Sequence, residues 1–492
     1  MRHDTTSREG YEWVALSVTT IGALLASIQG SALIIGLPDI LAKLGADFLT
    51  MIWVLLAYLL VTTAFVPVIG RLADMFGRKR LYNAGFAIFS LGSLFAGLAQ
   101  ARFHGWDLVL ARVVQGIGGA LLFANSAAIV TDAFRHGRIG LGLGVNQIAV
   151  AAGFILGPVV GGLLASIDWR LIFLINVPLG LFGTLWGIRN LREPEKLPGG
   201  QHFDPWGSVT FTVGLAALLL GLSITAFPAG PAFLPYALIA FAVVVLTAFA
   251  LIERRVPEPM LDFQLFRHRL FSFANLAGGL NGLARGAVLF LLTFFLQGPY
   301  GKNPLQAGIL TAPFGIAFVA VGPLSGSLSD RHGSRGLATA GLLVSSVGLL
   351  GLATITATTS YWVLAVFMVL MGGGSGLFSS PNQNAIMSSV VPERRGIASA
   401  TGVMFGNTGQ MFSIAIAFPL VLSHIPQDVM YKIFLYGGGM QGVPTVLQTF
   451  EKGLHQAFLV SFAITIVAAA ASFLRPSKEE PIAARADLEE QP

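Results

Sequence analysis

"GRLADMFGRKR", residues 70–80, sets an aspartate, four basic residues and two glycines between two long apolar runs. The flanking runs, 51–70 and 81–99, are each long enough to cross a hydrocarbon core of about 30 Å. The stretch therefore reads as a tight, charged turn joining two membrane-crossing helices. Its pattern, G-x-L-x-D-x-x-G, returns in the same frame at "GSLSDRHGSRG", residues 326–336, an offset of 256 residues. Six spans with short loops need about 200 residues, at roughly 20 per span plus connections. The excess fits two further spans, so the expected plan is six helices, two, then six.

Apolar runs of 18 or more residues recur along all 492 positions. Fourteen are expected as spans, at 13–36, 51–70, 81–99, 107–131, 139–166, 171–189, 207–226, 233–252, 271–297, 305–328, 336–356, 361–386, 397–422 and 455–474. Composition points the same way: 54% of residues are hydrophobic and 11% charged, against about 25% charged in soluble domains. The expected fold class is an all-α polytopic membrane protein. An N-terminal six-helix bundle would occupy 1–190, linkers and two additional helices 191–270, a C-terminal six-helix bundle 271–475, and a tail 476–492. The linkers "REPEKLPGGQHFDP" and "ERRVPEPMLDFQLFRHR" are charged and proline-rich, as connections in water should be.

Orientation follows from the basic residues, which concentrate on the cytoplasmic side of membrane proteins. With the N-terminus inside, cytoplasmic segments hold 22 Lys and Arg, outer loops hold 6, and Arg112 and Arg285 lie within spans. Both termini are therefore expected in the cytoplasm. The net charge of +6 sits in these short loops, which argues against nucleic acid as a partner. There are no cysteines, hence no disulfide or thiolate metal site. The first apolar run exceeds a signal-peptide core and lacks a clear cleavage site, so it is read as a retained span.

Four stretches, taken in order, resemble the major facilitator superfamily, specifically its fourteen-spanner drug:proton antiporter branch. "GRLADMFGRKR" resembles the signature of loop 2–3, and "LARVVQGIGGA" (110–120) the span-4 motif. "GFILGPVVGG" (153–162) resembles the span-5 antiporter signature, and "DWRLIFLINVPLG" (168–180) the entry to span 6. The resemblance implies the major facilitator fold and a secondary transporter of the cell membrane working by alternating access. Export of amphipathic drugs or metabolites is implied, with protons as the coupling ion. A lipid or lipid-precursor flippase and an uncoupled facilitator are the alternatives.

Each motif also has a physical reading. Asp74, at the cytoplasmic end of span 2, is placed to cap a neighbouring helix or pair with Arg78, while Gly70 and Gly77 permit the turn. These residues are expected to form a cytoplasmic gate, with Asp330 as the weaker counterpart in the second half. Gly153, Gly157 and Gly161 fall at i, i+4, i+8 and form a bare stripe for close helix approach, and Pro158 adds a kink. The stripe is expected to move against a helix of the other half. Arg285 lies some fourteen residues into span 9, about 20 Å at 1.5 Å per residue. Charge at that depth is a default pointer to function, and here to a negative head group. Arg112 lies nearer the outer face, where snorkelling is available; the resemblance gives it a part in proton transfer.

Amides and aromatics complete the expected cavity: Gln29, Gln115, Asn146, Gln297, Asn382, Gln383 and Phe294. Such a mixture favours an amphipathic or lipid-like small molecule over a sugar. Relatives that export cations commonly carry a carboxylate midway along span 1, where this chain has Gln29. An amide cannot carry a proton near neutral pH, so neutral, zwitterionic or anionic cargo and weak proton dependence are expected. No cofactor, no metal site and no enzymatic centre is expected: "QGIGGA" and "GGGSG" lack the strand–turn–helix setting of a nucleotide loop. A monomer embedded in the lipid bilayer is the expected state.

Overall fold

Leu, Ala, Val and Phe dominate the apolar runs, and a chain in lipid must satisfy its backbone within each segment, so the runs fold as helices. The computed structural model describes residues 6–134, 139–193, 204–226, 230–256, 259, 261–390, 395–422 and 444–476. Its α-helices are α1 (Thr6–Leu44), α2 (Phe48–Phe76), α3 (Arg78–Gly97), α4 (Trp106–Ala133), α5 (Ile139–Ile167), α6 (Leu171–Leu174) and α7 (Asn176–Asn190). They continue as α8 (Pro205–Ala226), α9 (Leu234–Glu253), α10 (Arg269–Arg285), α11 (Val288–Gln297), α12 (Pro304–Leu310) and α13 (Ala312–His332). The last four are α14 (Ser334–Leu352), α15 (Tyr361–Ser388), α16 (Arg395–Leu422) and α17 (Pro444–Leu474). Among the described residues, 11 helical stretches are long and apolar enough to cross a membrane. The expected spans at 81–99, 139–166 and 397–422 are helical too, as α3, α5 and α16, but are not among those 11.

The chain forms two compact units. One comprises 1–203 with 303–309, the other 204–302 with 310–492. The two additional helices, α8 and α9, belong to the second unit, where Gly214 meets Leu246 and Gly221 meets Ile239. At their ends, Asp204 caps α8 by accepting from Gly207 N at 2.9 Å, and Glu253 accepts from Leu261 N at 3.0 Å.

The 256-residue offset of the turn motif carries far beyond the motif. Gly77 and Gly333 end α2 and α13 at φ +102° and +83°, a region open to glycine but strained for other residues. In the first unit α3 and α4 cross where neither can bear a side chain: an added methyl would sit 2.5 Å from Gln115 N at Gly92 and 2.6 Å from Phe89 Cα at Gly118. In the second unit α14 and α15 repeat this crossing. There Gly348 lies 2.7 Å from Met371 N, and Gly374 lies 2.8 Å from Ser345 Cα by the same measure. Gly92 and Gly348, Gly118 and Gly374, and their partners Gln115 and Met371, Phe89 and Ser345 are each 256 positions apart. In lipid such close backbone approach is what holds helices together.

Candidate functional site

The charged turn between α2 and α3 is tied from three sides. Arg78 at the start of α3 forms an ion pair of 2.6 Å with Asp132 near the end of α4. Glu193, just beyond α7, accepts from Lys79 N at 3.3 Å, and its carboxylate lies against the Cα of Gly77. Further along the same edge, Arg192 N donates to the Tyr11 hydroxyl at 3.0 Å. Asp132 and Glu193 are therefore partners of the expected gate that the motif pattern missed, because they are distant in sequence. The backbone of Gly70 and Asp74 is in α2 and that of Asp330 in α13, but their side chains lie outside the described residues.

The glycine stripe of α5 has a different partner from the one expected. Gly153 faces Ser27 Cβ, Gly157 faces Ser31, and Gly161 faces the backbone of Ala32, all on α1 of the same unit. The stripe is a packing seam within the unit because three glycines spaced by four residues fall on one helix face. A neighbouring face of α5 does meet a segment from the second half of the sequence. Gly162 abuts the backbone of Pro304 and Leu305, and Gly308 abuts the backbone of Pro158. Residues 303–309 group with the first unit through this contact.

Arg112 does not snorkel. It is 1% exposed, its Nε donates to the Val54 carbonyl at 3.0 Å, and its guanidinium lies 4.3 Å from the centre of the Tyr58 ring. It also donates to Gln115 Oε1, and Gln115 Nε2 donates to Ser93 Oγ at 2.7 Å. A polar chain thus runs from α2 through α4 to α3, with no carboxylate within ion-pair distance of Arg112 among the described residues.

The expected cavity amides divide sharply. Gln29, buried in α1, accepts from Asn176 Nδ2 of α7, and its own Nε2 has no hydrogen-bond partner among the described residues. Asn146 of α5 donates to Ser126 Oγ of α4 at 2.7 Å. Asn382 of α15 donates to the Ala274 carbonyl at 3.1 Å and accepts from Arg475 at 3.1 Å. With Gln115, these four amides join helices of their own unit rather than offering an open polar surface. Buried amides need partners, and neighbouring helices supply them. Phe294 is likewise buried, its ring 4.7 Å from that of Phe290. Gln383 and Gln297 are half-buried, and Gln383 Nε2 reaches Ser399 Oγ at 3.5 Å.

Arg475, the last residue of the expected C-terminal bundle, is fully buried just past α17 and also donates to the Ser334 carbonyl. Burial, with the Arg335 guanidinium nearby, lowers its pKa to about 10, so it stays charged near neutrality. Arg285 differs from both buried arginines. It ends α10, is half-buried, and has the Phe318 ring centre 5.8 Å away.

A family model described as Major Facilitator Superfamily matches this chain over residues 19–414 and again over 274–490. The chain is 31% identical over 422 residues to the riboflavin transporter RibZ of Clostridioides difficile strain 630, covering 86% of this chain and 90% of that protein. It is 28% identical over 416 residues to the multidrug transporter protein MdtP of Bacillus subtilis strain 168, covering 84% of this chain and 76% of that one. Among solved structures, an inward-facing, occupied bacterial homologue of the human lysosomal transporter Spinster aligns with TM-score 0.68 and 18% identity. It covers 96% of this chain and 97% of that one.

Proposed function

Because this chain belongs to the Major Facilitator Superfamily, and is a multi-pass membrane transporter rather than an enzyme, we propose that it exports amphipathic organic compounds from the cell by alternating access. The observation that carries the reading is the duplicated frame: two compact units, each with its own glycine-ended turn and its own glycine crossing, 256 residues apart. Similarity to a multidrug transporter supports export, and similarity to a riboflavin transporter supports a cargo with a large ring system. Fourteen spans with both termini in the cytoplasm and a function in the cell membrane complete the proposal.

Coupling follows from what stands midway along span 1. Gln29 there is buried beside Asn176 and offers no titratable group. Transport is accordingly proposed to depend weakly on the proton gradient. The test is flux of amphipathic dyes in proteoliposomes of known orientation, with and without an imposed pH gradient. Saturable movement toward the side corresponding to the cell exterior, changing little with the gradient, is the expected result. No movement above protein-free vesicles, or movement only with the gradient, would refute the corresponding half of the reading.

A further inference from the structure

The repeat offset aligns the middles of span 1 and span 9. Gly45 and Gly301, 256 residues apart, end the two spans at φ +59° and +60°. Gly22 and Gly278, and Gly30 and Gly286, keep the same register. That register sets Arg285 opposite Gln29 in the repeat. One unit therefore carries an uncharged amide at this mid-membrane position and the other a full positive charge.

The two are accommodated differently. Gln29 is buried and paired with Asn176. Arg112 and Arg475, the two buried arginines, donate to backbone carbonyls and side-chain amides. Arg285 makes no hydrogen bond and has no carboxylate within ion-pair distance among the described residues; its one described contact is the face of Phe318. Asn281, one helical turn earlier on the same face, likewise makes no hydrogen bond among them.

The local backbone keeps this arginine in place. The helix of span 9 is interrupted between α10 and α11, where Ala287 N donates to Ser413 Oγ of α16 at 2.9 Å. Gly282 and Gly286 on either side press against Gly406 and Gln410 of α16. Arg285 thus closes α10 at a helix break, where the negative end of that helix dipole offsets part of its charge and the N-terminal amides of α11 follow three residues later. An intramembrane arginine without a protein partner is costly unless something supplies the negative charge.

We infer that Arg285 is the anion-binding residue of the transport site, and that the preferred cargo carries a single negative group, a carboxylate or similar oxyanion, on an apolar body. The planar guanidinium offers two parallel N–H donors to such a group, with Asn281 as a further donor one turn away. This inference rests on the exporter reading but is tested separately from it.

Dansylaminoundecanoate and its uncharged primary amide differ only in the head group. Binding of each to the purified full-length protein is followed by energy transfer from tryptophan to dansyl. The native protein should prefer the carboxylate by about tenfold or more, as one charge-assisted hydrogen bond would give. Arg285→Gln should abolish the preference while still binding the amide, and Arg285→Lys should keep part of it. Equal binding of the two probes by the native protein, binding of neither, or a preference that survives Arg285→Gln would overturn the inference. Should Arg285→Gln fail to fold, the native comparison and Arg285→Lys still decide. Displacement of the bound probe by phosphatidylglycerol, but not by phosphatidylcholine, would support the inference and make a lipid phosphate the oxyanion. Carboxylate bound through Arg285 but not moved in vesicles would leave the anion site standing and remove the exporter reading. Export of the amide alone would do the reverse.

Discussion

Arg112 shows how one residue can be held by packing and still be dispensable to it. Its chain to Gln115 and Ser93 has a counterpart in the second unit 256 residues later, where the same positions are Met368, Met371 and Leu349, all buried. The helix crossing is therefore built equally well without polar groups. Arg112→Ala alone would strand the Val54 carbonyl and the Gln115 amide oxygen, at a cost of about 1–3 kcal/mol for each acceptor left unpaired. The triple change Arg112→Met, Gln115→Met and Ser93→Leu, copying the second unit, should restore the thermal unfolding midpoint in detergent but not transport. Recovery of transport would show that the polar chain has no functional part. Gln29 gives the second prediction at this scale. Gln29→Glu keeps the acceptor for Asn176 while adding a titratable group, so uptake of tetraphenylphosphonium into inside-out vesicles should become dependent on the pH gradient. Strong gradient dependence already in the native protein would remove the argument from Gln29.

Helices are joined in this protein by glycine, and each glycine predicts its own sensitivity. Gly77 combines a positive φ with the Glu193 carboxylate against its Cα, whereas Gly333 has the positive φ but nothing within 4 Å of an added methyl. Gly333→Ala should cost about 1–3 kcal/mol, because its backbone lies in a region open essentially to glycine alone, and Gly77→Ala distinctly more. Comparison of their unfolding midpoints checks this; equal values would show that the Glu193 contact yields freely. Within the α1–α5 seam, Gly161→Ala would bring a methyl to 2.7 Å from Ala32 Cα, while Gly322 in α13 has open space. Gly322→Ala should be neutral or stabilising by up to about 1 kcal/mol, since Ala is the better helix former. Gly161→Ala should separate α1 from α5 and lower both stability and flux.

For the whole molecule the testable quantity is topology. The chain has no cysteine, so single cysteines can be introduced without a background. Lys79→Cys, in the first charged turn, and Lys302→Cys, between α11 and α12, should react with a membrane-impermeant maleimide from opposite faces of intact cells and inside-out vesicles. Labelling from the same face would refute the proposed arrangement of spans.

The membrane class, the repeat and its 256-residue offset were legible because they depend only on local composition and on glycines needed wherever helices touch. A bare stripe such as Gly153, Gly157 and Gly161 is visible in sequence, but its partner is not. The structure makes that partner α1 because complementary small residues, Ser27, Ser31 and Ala32, lie on its facing side. Likewise Gln29, Gln115, Asn146 and Asn382 could be recognised as amides that need partners. Whether each finds its partner on a neighbouring helix or stays open to cargo is a three-dimensional outcome, and all four found helices. Asp132 and Glu193 escaped notice at the gate because they reach it from the ends of other helices. Arg285 could be singled out by its depth along the chain, yet only the tertiary structure leaves it without a protein acceptor among the described residues. Hydrophobicity is a property of the residue and survives reading in one dimension; the satisfaction of a buried polar group belongs to the pair and does not.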